Sequence, residues 1–544
     1  MSCYLGIDVG TGSARAGVFD SEGRLLGVGS RDTRTWRPAA DFAQQSSVDI
    51  WRAICASVRK AMDQSGVAPE DIGGIGFDAT CSLVVSEGDG APLSISPDGA
   101  PEQDIILWMD HRAISDADEI NATGAGVLDY VGKAISPEME MPKLRWLKSN
   151  LPDVWAKAGL FFDLPDWLAW RATGSKTRSL CSSTCKWTYL AHKGQSGEGW
   201  DDAFLTRIGL EDLTGEGRTK IGDAFCAPEE PIGSLTSEAA DELGLVAGIP
   251  VAAGLIDAYS GALGTLGCQP DVAALSERMA VIAGTSTCHI ALSSDPVFVP
   301  GVWGPYYSVL LPGLWALEGG QSAAGALIDA VIARHSASAE LHERAKSSGR
   351  SIHRILQELL EEMGQETTVL TTERHVQPDF HGNRAPLADP TRRGAISGLS
   401  LDHGMTDLAL DYLATLQALA YGTRHVLEEM ASRGAPVSTM VVSGGLAKNA
   451  LFLRELADAC GVSVIVPDQQ EPVLLGSAML GAVAGGDYES LEAAMRAMSG
   501  PGRVVRPRGD AIARYHDRKY RVFRRMQDDF AAYAELMHSE ETEQ

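Results

Sequence analysis

Tyr4-Leu-Gly-Ile-Asp8-Val-Gly10-Thr11-Gly12-Ser13-Ala-Arg15-Ala-Gly17-Val-Phe-Asp20 is the stretch of this 544-residue chain that decides its fold. Two apolar runs flank a short turn that contains glycine, and this pattern predicts a β-hairpin. A second turn at 21–24 leads into a third predicted strand at Leu25–Gly29. The chain therefore opens with three predicted strands in succession.

A helix is predicted directly after these strands. Ile50 and Trp51 begin a set of apolar residues at helical spacing, with Ser47 as a plausible N-cap and Gly66 as the end. The next strand is predicted at Gly73–Val85. Strands that alternate with helices favour an α/β architecture.

The opening hairpin has a second copy about half the chain later. Gly284-Thr285-Ser286-Thr287 aligns with Gly10-Thr11-Gly12-Ser13, and each turn follows an apolar run and precedes another strand. Asp8 of the first copy corresponds to Ile282 of the second. This similarity predicts an internal duplication, and hence two like domains that face a shared cleft.

The length also requires more than one domain, because single cores stop growing well below 544 residues. We place the boundary near Gly267–Asp271, which gives an N-terminal domain at 1–268 and a C-terminal domain at 269–500. The segment 336–375 predicts a helical excursion from the second domain, and the tail 501–544 predicts an amphipathic helix packed on the body.

Composition limits the partners. Lys and Arg total 46 against 72 Asp and Glu, a formal net charge of −26, which argues against nucleic acid and against an anionic membrane surface. No apolar run reaches the length of a transmembrane helix. The nine scattered cysteines include one CxxxC pair, Cys181 and Cys185, and indicate reduced thiols in a cytoplasmic protein.

Several nucleotide and hydrolase motifs are absent from the sequence. There is no GxxxxGK[ST] loop, no HExxH helix and no GxSxG elbow. Arg15 stands where the dinucleotide fingerprint needs its third glycine, so the first turn does not predict a Rossmann site.

Asp8 is an acid inside an apolar strand, two residues before the Gly-Thr-Gly turn. Backbone N–H groups of such a turn can approach phosphate oxygens, while a nearby carboxylate can hold Mg²⁺ through water. The alternative is an aspartate that only caps the turn. The second Gly-Thr turn favours the phosphate interpretation.

Asp257 ends the apolar run Val251–Ile256 where a small-residue helix begins. An acid at the end of a buried strand suits a general base that accepts a hydroxyl proton. A helix N-cap is the structural alternative, and for this residue considered alone it is the favoured one.

Gly444-Gly445-Leu-Ala-Lys448-Asn449 follows an apolar strand at Met440–Ser443 and opens a helix. Paired glycines allow a planar ring or a phosphate to lie against the backbone. An ordinary strand-to-helix turn is the alternative.

These segments together resemble the FGGY family of carbohydrate kinases, within the sugar kinase, Hsp70 and actin superfamily. The resemblance covers roughly residues 4–500, and its motifs occur in the family's order. The matching segments are Asp8–Arg15, Trp108–Arg112, Asp163–Trp167, Gly254–Asp257, Gly284-Thr285, Leu317–Gly319 continuing to Gly325, and Gly444–Asn449.

The resemblance implies an α/β fold of two duplicated ribonuclease-H-like domains around an interdomain cleft, where ATP and Mg²⁺ phosphorylate a sugar. It implies Asp257 as general base and Asp8 as the residue that positions Mg²⁺. The implied phosphate-binding residues are Thr11, Gly12, Ser13, Arg15, Gly284 and Thr285. The implied adenosine-pocket residues are Gly325, Asp329, Gly445 and Asn449. Homodimers are common among similar proteins, so a homodimer is a further expectation.

The sugar is predicted from Thr80-Cys81-Ser82-Leu83-Val84, which resembles the signature of the family's D-ribulokinase branch. Lys186 matches a sugar-contacting lysine of that branch, and an ammonium can donate three hydrogen bonds to an open-chain ketopentose. The predicted substrate-binding residues are Thr80, Cys81, Asp110, Lys186 and Asp257. D-ribulose leads, with L-ribulose, D-xylulose and ribitol as alternatives.

Two rival functions remain from other classes. One is a catalytically silent regulator that binds sugar or nucleotide on the same fold, and the other is an Hsp70-like ATPase. The sugar-proximal segments disfavour the ATPase, and the presence of both Asp8 and Asp257 disfavours the regulator.

Overall fold

The computed structural model describes residues 2–270 and 273–538. Two predictions reach beyond these residues: Asp271 of the predicted domain boundary and residues 539–544 of the predicted tail lie outside the described residues. No helix in the described ranges combines the length and the apolar character that crossing a membrane demands.

Strands and helices alternate along the chain. The strands are β1 Cys3–Val9, β2 Ser13–Asp20, β3 Leu25–Asp32, β4 Gln44–Gln45, β5 Ile72–Ala79, β6 Leu83–Ser86, β7 Ile105–Ile106, β8 Leu160–Asp163, β9 Arg178–Ser179, β10 Phe225–Cys226, β11 Pro231–Ser234, β12 Pro250–Ala252, β13 Leu255–Ile256, β14 Arg278–Ala283, β15 Thr287–Ser293, β16 Trp303–Tyr307, β17 Trp315–Gln321, β18 His375–Gln377, β19 Ala395–Ser397, β20 Thr439–Ser443, β21 Ser463–Pro467 and β22 Gly502–Val505. The α-helices are α1 Ser47–Ser65, α2 Ile114–Asn121, α3 Glu140–Asn150, α4 Pro152–Lys157, α5 Leu164–Thr173, α6 Leu180–Lys186, α7 Asp202–Arg207, α8 Ser237–Leu243, α9 Asp257–Leu266, α10 Gly325–Arg334, α11 Ser338–Ser348, α12 Ile352–Glu362, α13 Met405–Ser432, α14 Ala450–Cys460, α15 Pro472–Ala484, α16 Leu491–Met498 and α17 Asp510–His538.

The chain divides into two units, each built from separate stretches. The first unit comprises the described parts of Met1–Ser276, Ile290–Leu317 and Pro467–Gly502. The second comprises Glu277–His289, Glu318–Val466 and the described part of Arg503–Gln544. The predicted boundary of continuous domains near residue 268 stays a prediction.

The central sheet of the first unit has the order β11-β12-β5-β1-β2-β3, and β13 also pairs with β5. The predicted hairpin is confirmed, because β1 and β2 pair antiparallel and β2 continues into β3. Strands β1, β5 and β13 run parallel, so their carboxyl ends lie at one edge of the sheet. Helix α1 packs on β2 and β3 and buries its apolar face.

Two local predictions need correction. Ser46, and not Ser47, is the N-cap of α1, because Ser46 is extended and its hydroxyl accepts the Asp49 N–H. The strand predicted at Gly73–Val85 is two strands, β5 and β6, since the chain leaves the central sheet after Ala79. Strand β6 then pairs with β7 and β8 in a second sheet of order β4-β7-β6-β8.

Helix α15 lies directly on strands β1 and β5. A Cβ added at Gly76 would stand 1.9 Å from the backbone oxygen of Ser477, and one at Gly6 would stand 2.0 Å from that of Leu474. Only glycine permits such an approach between a strand and a helix. The close packing brings the start of α15 to the carboxyl edge of the sheet.

The second unit repeats this arrangement. Strand β14 runs parallel to β20, and β20 runs parallel to β21, as β1 runs parallel to β5 in the first unit. The tail helix α17 packs on α13, α14 and β18. Its Lys519 is buried, and the ammonium donates hydrogen bonds to the carbonyls of Thr371 and Arg374. The predicted α/β class with two duplicated halves is confirmed.

Candidate active site

Three carboxylates gather at the carboxyl edge of the first unit's sheet. Asp8 pairs with Asp78 across β1 and β5, and Leu255, two residues before Asp257, also pairs with Asp78. We call Asp8, Asp78 and Asp257 the acidic trio. Crevices beyond the carboxyl ends of parallel strands are where α/β sheets bind ligands, so the trio marks the candidate site of the first unit.

Asp78 is the fully buried member of the trio. The Ser477 hydroxyl donates a hydrogen bond to its Oδ2 at 2.5 Å, while its Oδ1 is buried and accepts no hydrogen bond from the described residues. Burial and the negative charges of Asp8 and Asp257 hold the pKa of Asp78 well above its usual range. Asp78 therefore binds a proton more tightly than an ordinary aspartate does.

Asp8 is the member of the trio that suits a magnesium ion. Mg²⁺ takes carboxylate oxygens and water as ligands, and Asp8 offers a carboxylate near the end of β1, whereas the high pKa of Asp78 favours its protonated form. The prediction that Asp8 positions Mg²⁺ remains a prediction, and this donor set is compatible with it.

Arg15 is held by two acids beside the predicted phosphate turn. Its Nε donates to Asp8 Oδ2 at 2.7 Å, and its Nη1 donates to Glu471 Oε2 at 2.8 Å. The antiparallel register that pairs Asp8 with Arg15 explains the first contact, and the position of α15 explains the second. The predicted contact of Arg15 with phosphate remains a prediction, and its side chain is about one-third exposed.

Asp257 is the first residue of α9 and is half-buried. The cap position belongs to Ile256, which makes no side-chain cap. Asp257 Oδ1 instead accepts the N–H of its neighbour Ala258 at 2.7 Å. This geometry leaves the carboxylate at the end of β13, where a general base is predicted.

A hydrogen-bond chain joins the predicted sugar signature to the first phosphate turn. The hydroxyls of Thr80 and Ser82 lie 3.2 Å apart, and the Trp108 backbone N–H donates to Ser82 Oγ at 3.2 Å. The indole N–H of Trp108 donates to Thr11 Oγ1 at 3.1 Å. The turn itself is closed by a bond from the Gly10 N–H to the Ser13 carbonyl.

Asp110, a predicted sugar ligand, is fully buried. Arg112 donates to both of its oxygens at 2.8 and 2.7 Å, and the Ala43 N–H donates to Oδ2 at 2.6 Å. The Arg112 guanidinium also stacks on Phe42, 3.9 Å from the ring centre. These contacts support a role in orienting this segment, and direct contact with sugar stays a prediction.

Lys186, at the end of α6, is buried, with its ammonium 4.3 Å from the centre of the Trp303 ring. Cys81 and Glu140 lie within electrostatic reach of Lys186. Burial raises the pKa of the Cys81 thiol. Burial also raises the pKa of Glu140 to about 7, although the positive charges of Lys143 and Lys186 favour the ionised form of Glu140. The predicted sugar residues Cys81 and Lys186 thus share one buried polar region.

Glu140 and Asp163 also belong to this region, although neither is among the substrate-binding residues predicted from the sequence. Each has a buried carboxylate oxygen that accepts no hydrogen bond from the described residues: Oε2 of Glu140 and Oδ1 of Asp163. Burial and the charges of Glu140 and Asp166 hold the pKa of Asp163 well above its usual range. Only the tertiary fold brings these acids beside Lys186, so sequence spacing gave no signal for Glu140.

The second unit holds the other Gly-Thr turn. Gly284 donates its N–H to the Ser286 carbonyl at 2.9 Å, one residue nearer than the acceptor in the first turn, where Gly10 donates to Ser13. The N–H groups of Gly325 and Ala326, at the start of α10, donate to the carbonyls of Gly284 and Thr285. The turn and the start of α10 therefore form one backbone surface, on which Thr285 is exposed.

The Gly444–Asn449 segment meets the same turn. A Cβ on Gly444, whose φ is +88°, would stand 2.5 Å from the Ala283 carbonyl oxygen, so glycine is required there. Gly445 is exposed and has open space around it. Asn449 caps α14 by accepting the Phe452 N–H and donates to the Tyr412 hydroxyl at 2.6 Å.

The predicted site residues fall into two groups, one in each unit. In the first unit lie Asp8, Thr11, Gly12, Ser13, Arg15, Thr80, Cys81, Asp110, Lys186 and Asp257. In the second unit lie Gly284, Thr285, Gly325, Asp329, Gly445 and Asn449, of which Asp329 is exposed on α10. Their binding roles remain predictions, and the structure adds Asp78, Glu471 and Ser477 to the first group.

A second set of metal-type ligands, His335, Asp407 and Asp411, lies in the second unit. Arg374 donates to both aspartates, and His335 Nε2 lies 3.1 Å from Asp407 Oδ2. Because the Arg374 guanidinium already pairs with both acids, this set is a buried ion-pair network.

Comparison with known proteins identifies the family. The model of the N-terminal domain of the FGGY family of carbohydrate kinases matches residues 3–264, and that of its C-terminal domain matches residues 279–485. The chain is 46% identical to the human FGGY carbohydrate kinase domain-containing protein, across 99% of this chain and 98% of the human one. It is 42% identical to a D-ribulokinase of Saccharomyces cerevisiae, across 89% of this chain and 72% of the yeast protein.

A solved structure confirms the fold. The crystal structure of a xylulose kinase from Rhodospirillum rubrum superposes with a TM-score of 0.79 at 21% identity, covering 98% of this chain and 99% of that one. The chain belongs to the FGGY family of carbohydrate kinases. It is therefore an ATP-dependent sugar kinase.

Proposed function

We propose that the protein transfers the γ-phosphate of ATP to the 5-hydroxyl of D-ribulose and releases D-ribulose 5-phosphate and ADP. The acidic trio carries this proposal, because it places one half-buried and two buried carboxylates at the carboxyl edge of a parallel sheet. The choice of D-ribulose is supported by the Thr80–Val84 signature and by the similarity to the yeast D-ribulokinase.

Asp257 acts as the general base in this proposal. It accepts the proton of the sugar hydroxyl as that oxygen forms a bond to the γ-phosphorus and the bond to ADP breaks. Its half-buried position at the end of β13 is compatible with contact to a substrate.

The phosphates are bound by Thr11, Gly12, Ser13 and Arg15 together with Gly284 and Thr285. Exposed backbone N–H groups of tight glycine turns suit phosphate oxygens. Magnesium, positioned by Asp8, supplies charge neutralisation at the phosphates when bound. Gly325, Asp329, Gly445 and Asn449 line the adenosine pocket.

The sugar is recognised through hydroxyl contacts near Thr80, Cys81 and Lys186. The ammonium of Lys186 is a donor, whereas Glu140 and Asp163 each have one oxygen without a hydrogen bond among the described residues and can accept, or donate when protonated. A buried site that pairs with each hydroxyl strongly rejects a sugar that lacks one, because its own polar groups are then left unpaired.

A coupled ADP-release assay with Mg-ATP tests the proposal. The panel contains D-ribulose, L-ribulose, D-xylulose, ribitol, L-arabinitol and glycerol. We expect kcat/KM for D-ribulose to exceed every other value at least tenfold, about 1.4 kcal/mol of transition-state discrimination. Preference for another polyol would keep the kinase and reject D-ribulose. No turnover with any of them, despite measurable ATP binding, would favour the regulator.

A further inference from the structure

Trp108 contacts two segments with different predicted tasks. Its backbone N–H donates to Ser82 Oγ in the predicted sugar signature at 3.2 Å. Its indole N–H donates to Thr11 Oγ1 in the predicted phosphate turn at 3.1 Å. Asp110, two residues later, is locked by Arg112 and the Ala43 N–H, so the segment that carries Trp108 has a rigid support.

The hydrogen bond from Trp108 determines what the Thr11 hydroxyl can do. A hydroxyl has one proton to donate and two lone pairs, whereas an indole N–H can only donate. Thr11 Oγ1 must therefore act as the acceptor towards Trp108, and its own proton remains available to another acceptor. A phosphate oxygen is such an acceptor, and Thr11 is only half-buried.

The backbone of Thr11 is held separately. Gln45 Nε2 donates to the Thr11 carbonyl at 2.8 Å, and the Thr33 N–H donates to the Gly12 carbonyl at 3.0 Å. These bonds fix the turn whether or not the indole is present. Without the indole N–H, the Thr11 hydroxyl should therefore rotate freely, while the backbone of the turn keeps its conformation.

We propose that Trp108 is a positioning residue that holds the Thr11 hydroxyl as a phosphate donor and couples sugar binding to ATP binding. The proposal rests on the proposed function, because it takes Thr11 as a phosphate ligand and Thr80–Ser82 as sugar ligands. A sugar that restricts the motion of Ser82 also restricts Trp108, through the hydrogen bond between them, and Trp108 in turn restricts the Thr11 hydroxyl. By linkage, sugar tightens ATP binding by the same factor by which ATP tightens sugar binding.

Four variants of the full chain test the coupling: Trp108→Phe, Thr11→Val, their combination and Thr11→Ser. Phe keeps an aromatic ring without the N–H, Val removes the hydroxyl, and Ser keeps it. The matched control is Trp200→Phe, which removes an indole N–H that donates to the Gly222 carbonyl at 3.0 Å elsewhere in the first unit. The measurements are KM for ATP and for D-ribulose, kcat, and Kd for ATP with and without D-ribulose.

We expect Trp108→Phe to raise KM for ATP about fivefold, to change KM for the sugar less than twofold, and to abolish the sugar-induced tightening of ATP binding. The double variant should match Thr11→Val within twofold, because the indole has nothing left to position. Thr11→Ser should keep the tightening, and Trp200→Phe should leave all these constants within twofold of the wild type.

Independent effects would overturn the proposal. If the changes caused by Trp108→Phe and Thr11→Val multiply in the double variant, or if Trp108→Phe raises only KM for the sugar, Trp108 does not act through Thr11. If Trp108→Phe does not fold, Thr11→Val and Thr11→Ser decide: equal tightening of ATP binding by sugar in both would overturn the coupling. Failure of the proposed function is separate, since the wild-type protein would then phosphorylate no D-ribulose; a different sugar from the panel would replace it in every assay.

Discussion

Asp78 and Asp257 carry the same carboxylate in different surroundings. Asp78 is fully buried beneath α15 and accepts a hydrogen bond from the Ser477 hydroxyl. Asp257 is half-buried in the first turn of α9. The high pKa of Asp78 reflects burial and two neighbouring acids. When the surroundings of two like acids give them different pKa values, the two acids commonly have different chemical roles. This supports Asp257 as the member of the trio that contacts the substrate.

Replacing Asp257 by Ala tests its role. We expect kcat to fall about 10²- to 10⁴-fold, the range that a general base contributes, while Kd for ATP changes less than twofold. The coupled assay gives kcat, and titration calorimetry gives Kd. The matched control is Asp153→Ala, an exposed acid in the first turn of α4, which should retain full activity. Wild-type turnover in Asp257→Ala would refute the base.

Asp104 predicts a pH dependence of stability. Burial raises the pKa of Asp104 to about 6, although Ser47 donates to it through its N–H and its hydroxyl. Because the folded-state pKa is the higher one, its stabilising contribution is complete below the unfolded pKa near 3.8 and is lost as pH rises through about 6.

Asp104→Asn removes this titration and keeps the hydrogen-bonding shape, since the Ser47 hydroxyl can rotate to accept. We expect the variant to gain about 1 kcal/mol relative to the wild type between pH 5 and pH 8. Thermal unfolding at both pH values measures it. Asp63→Asn, an exposed acid on α1, provides the control for the change in net charge. An equal shift in both variants would contradict the assignment.

Sequence reasoning predicted roles for Asp8 and Asp257, which stay predictions, and it gave no indication of Ser477 and Glu471. Both missed residues lie more than 450 positions after Asp8 and Arg15, and they reach the sheet only because α15 packs on β1 and β5. Burial, which distinguishes Asp78 from an ordinary strand residue, is likewise a property of the tertiary fold. The pattern of residues along the sequence shows neither the packing of α15 on the sheet nor the burial of Asp78.

Elements with local signals were predicted well. The hairpin of β1 and β2, the end of α1 at Gly66 and the start of α9 at Asp257 all depend on turns and apolar runs within a few residues. The break between β5 and β6 was missed, because Thr80-Cys81-Ser82 contains no glycine or proline to mark a turn and the change of sheet depends on pairing with β7 and β8.

The close packing of α15 on β5 can be tested by adding a methyl group at the contact. Gly76→Ala would place a Cβ 1.9 Å from the Ser477 carbonyl oxygen and push α15 off the sheet. We expect a loss of about 1–3 kcal/mol in stability, typical of overpacking, together with lower activity as Ser477 and Glu471 shift. The thermal midpoint and kcat measure both effects.

Gly126→Ala is the matched control for this test. Gly126 also has a negative φ, and a Cβ there would meet nothing within 4 Å. The control should unfold at nearly the wild-type temperature. Equal midpoints for Gly76→Ala and Gly126→Ala would show that α15 can adjust to the added methyl group.

The whole molecule carries a net charge of −26. Such an excess repels itself in the compact state, and salt screens the repulsion. We expect the melting temperature to rise by a few degrees between about 0.02 and 0.2 M NaCl. Scanning fluorimetry measures the shift, and a second series in which sucrose replaces the salt provides the control. A constant or falling melting temperature would show that attractive ion pairs outweigh the repulsion.

The position of α15 late in the chain also affects how the protein is made. The strands that α15 covers are finished early, but α15 emerges from the ribosome about 200 residues after α9, some 10–40 s later at ordinary rates of translation. During that interval the glycine-lined face of β1 and β5 has no helix over it. The nascent chain therefore exposes an apolar sheet surface for much of its synthesis, and chaperone binding at this stage would favour a high yield of folded enzyme.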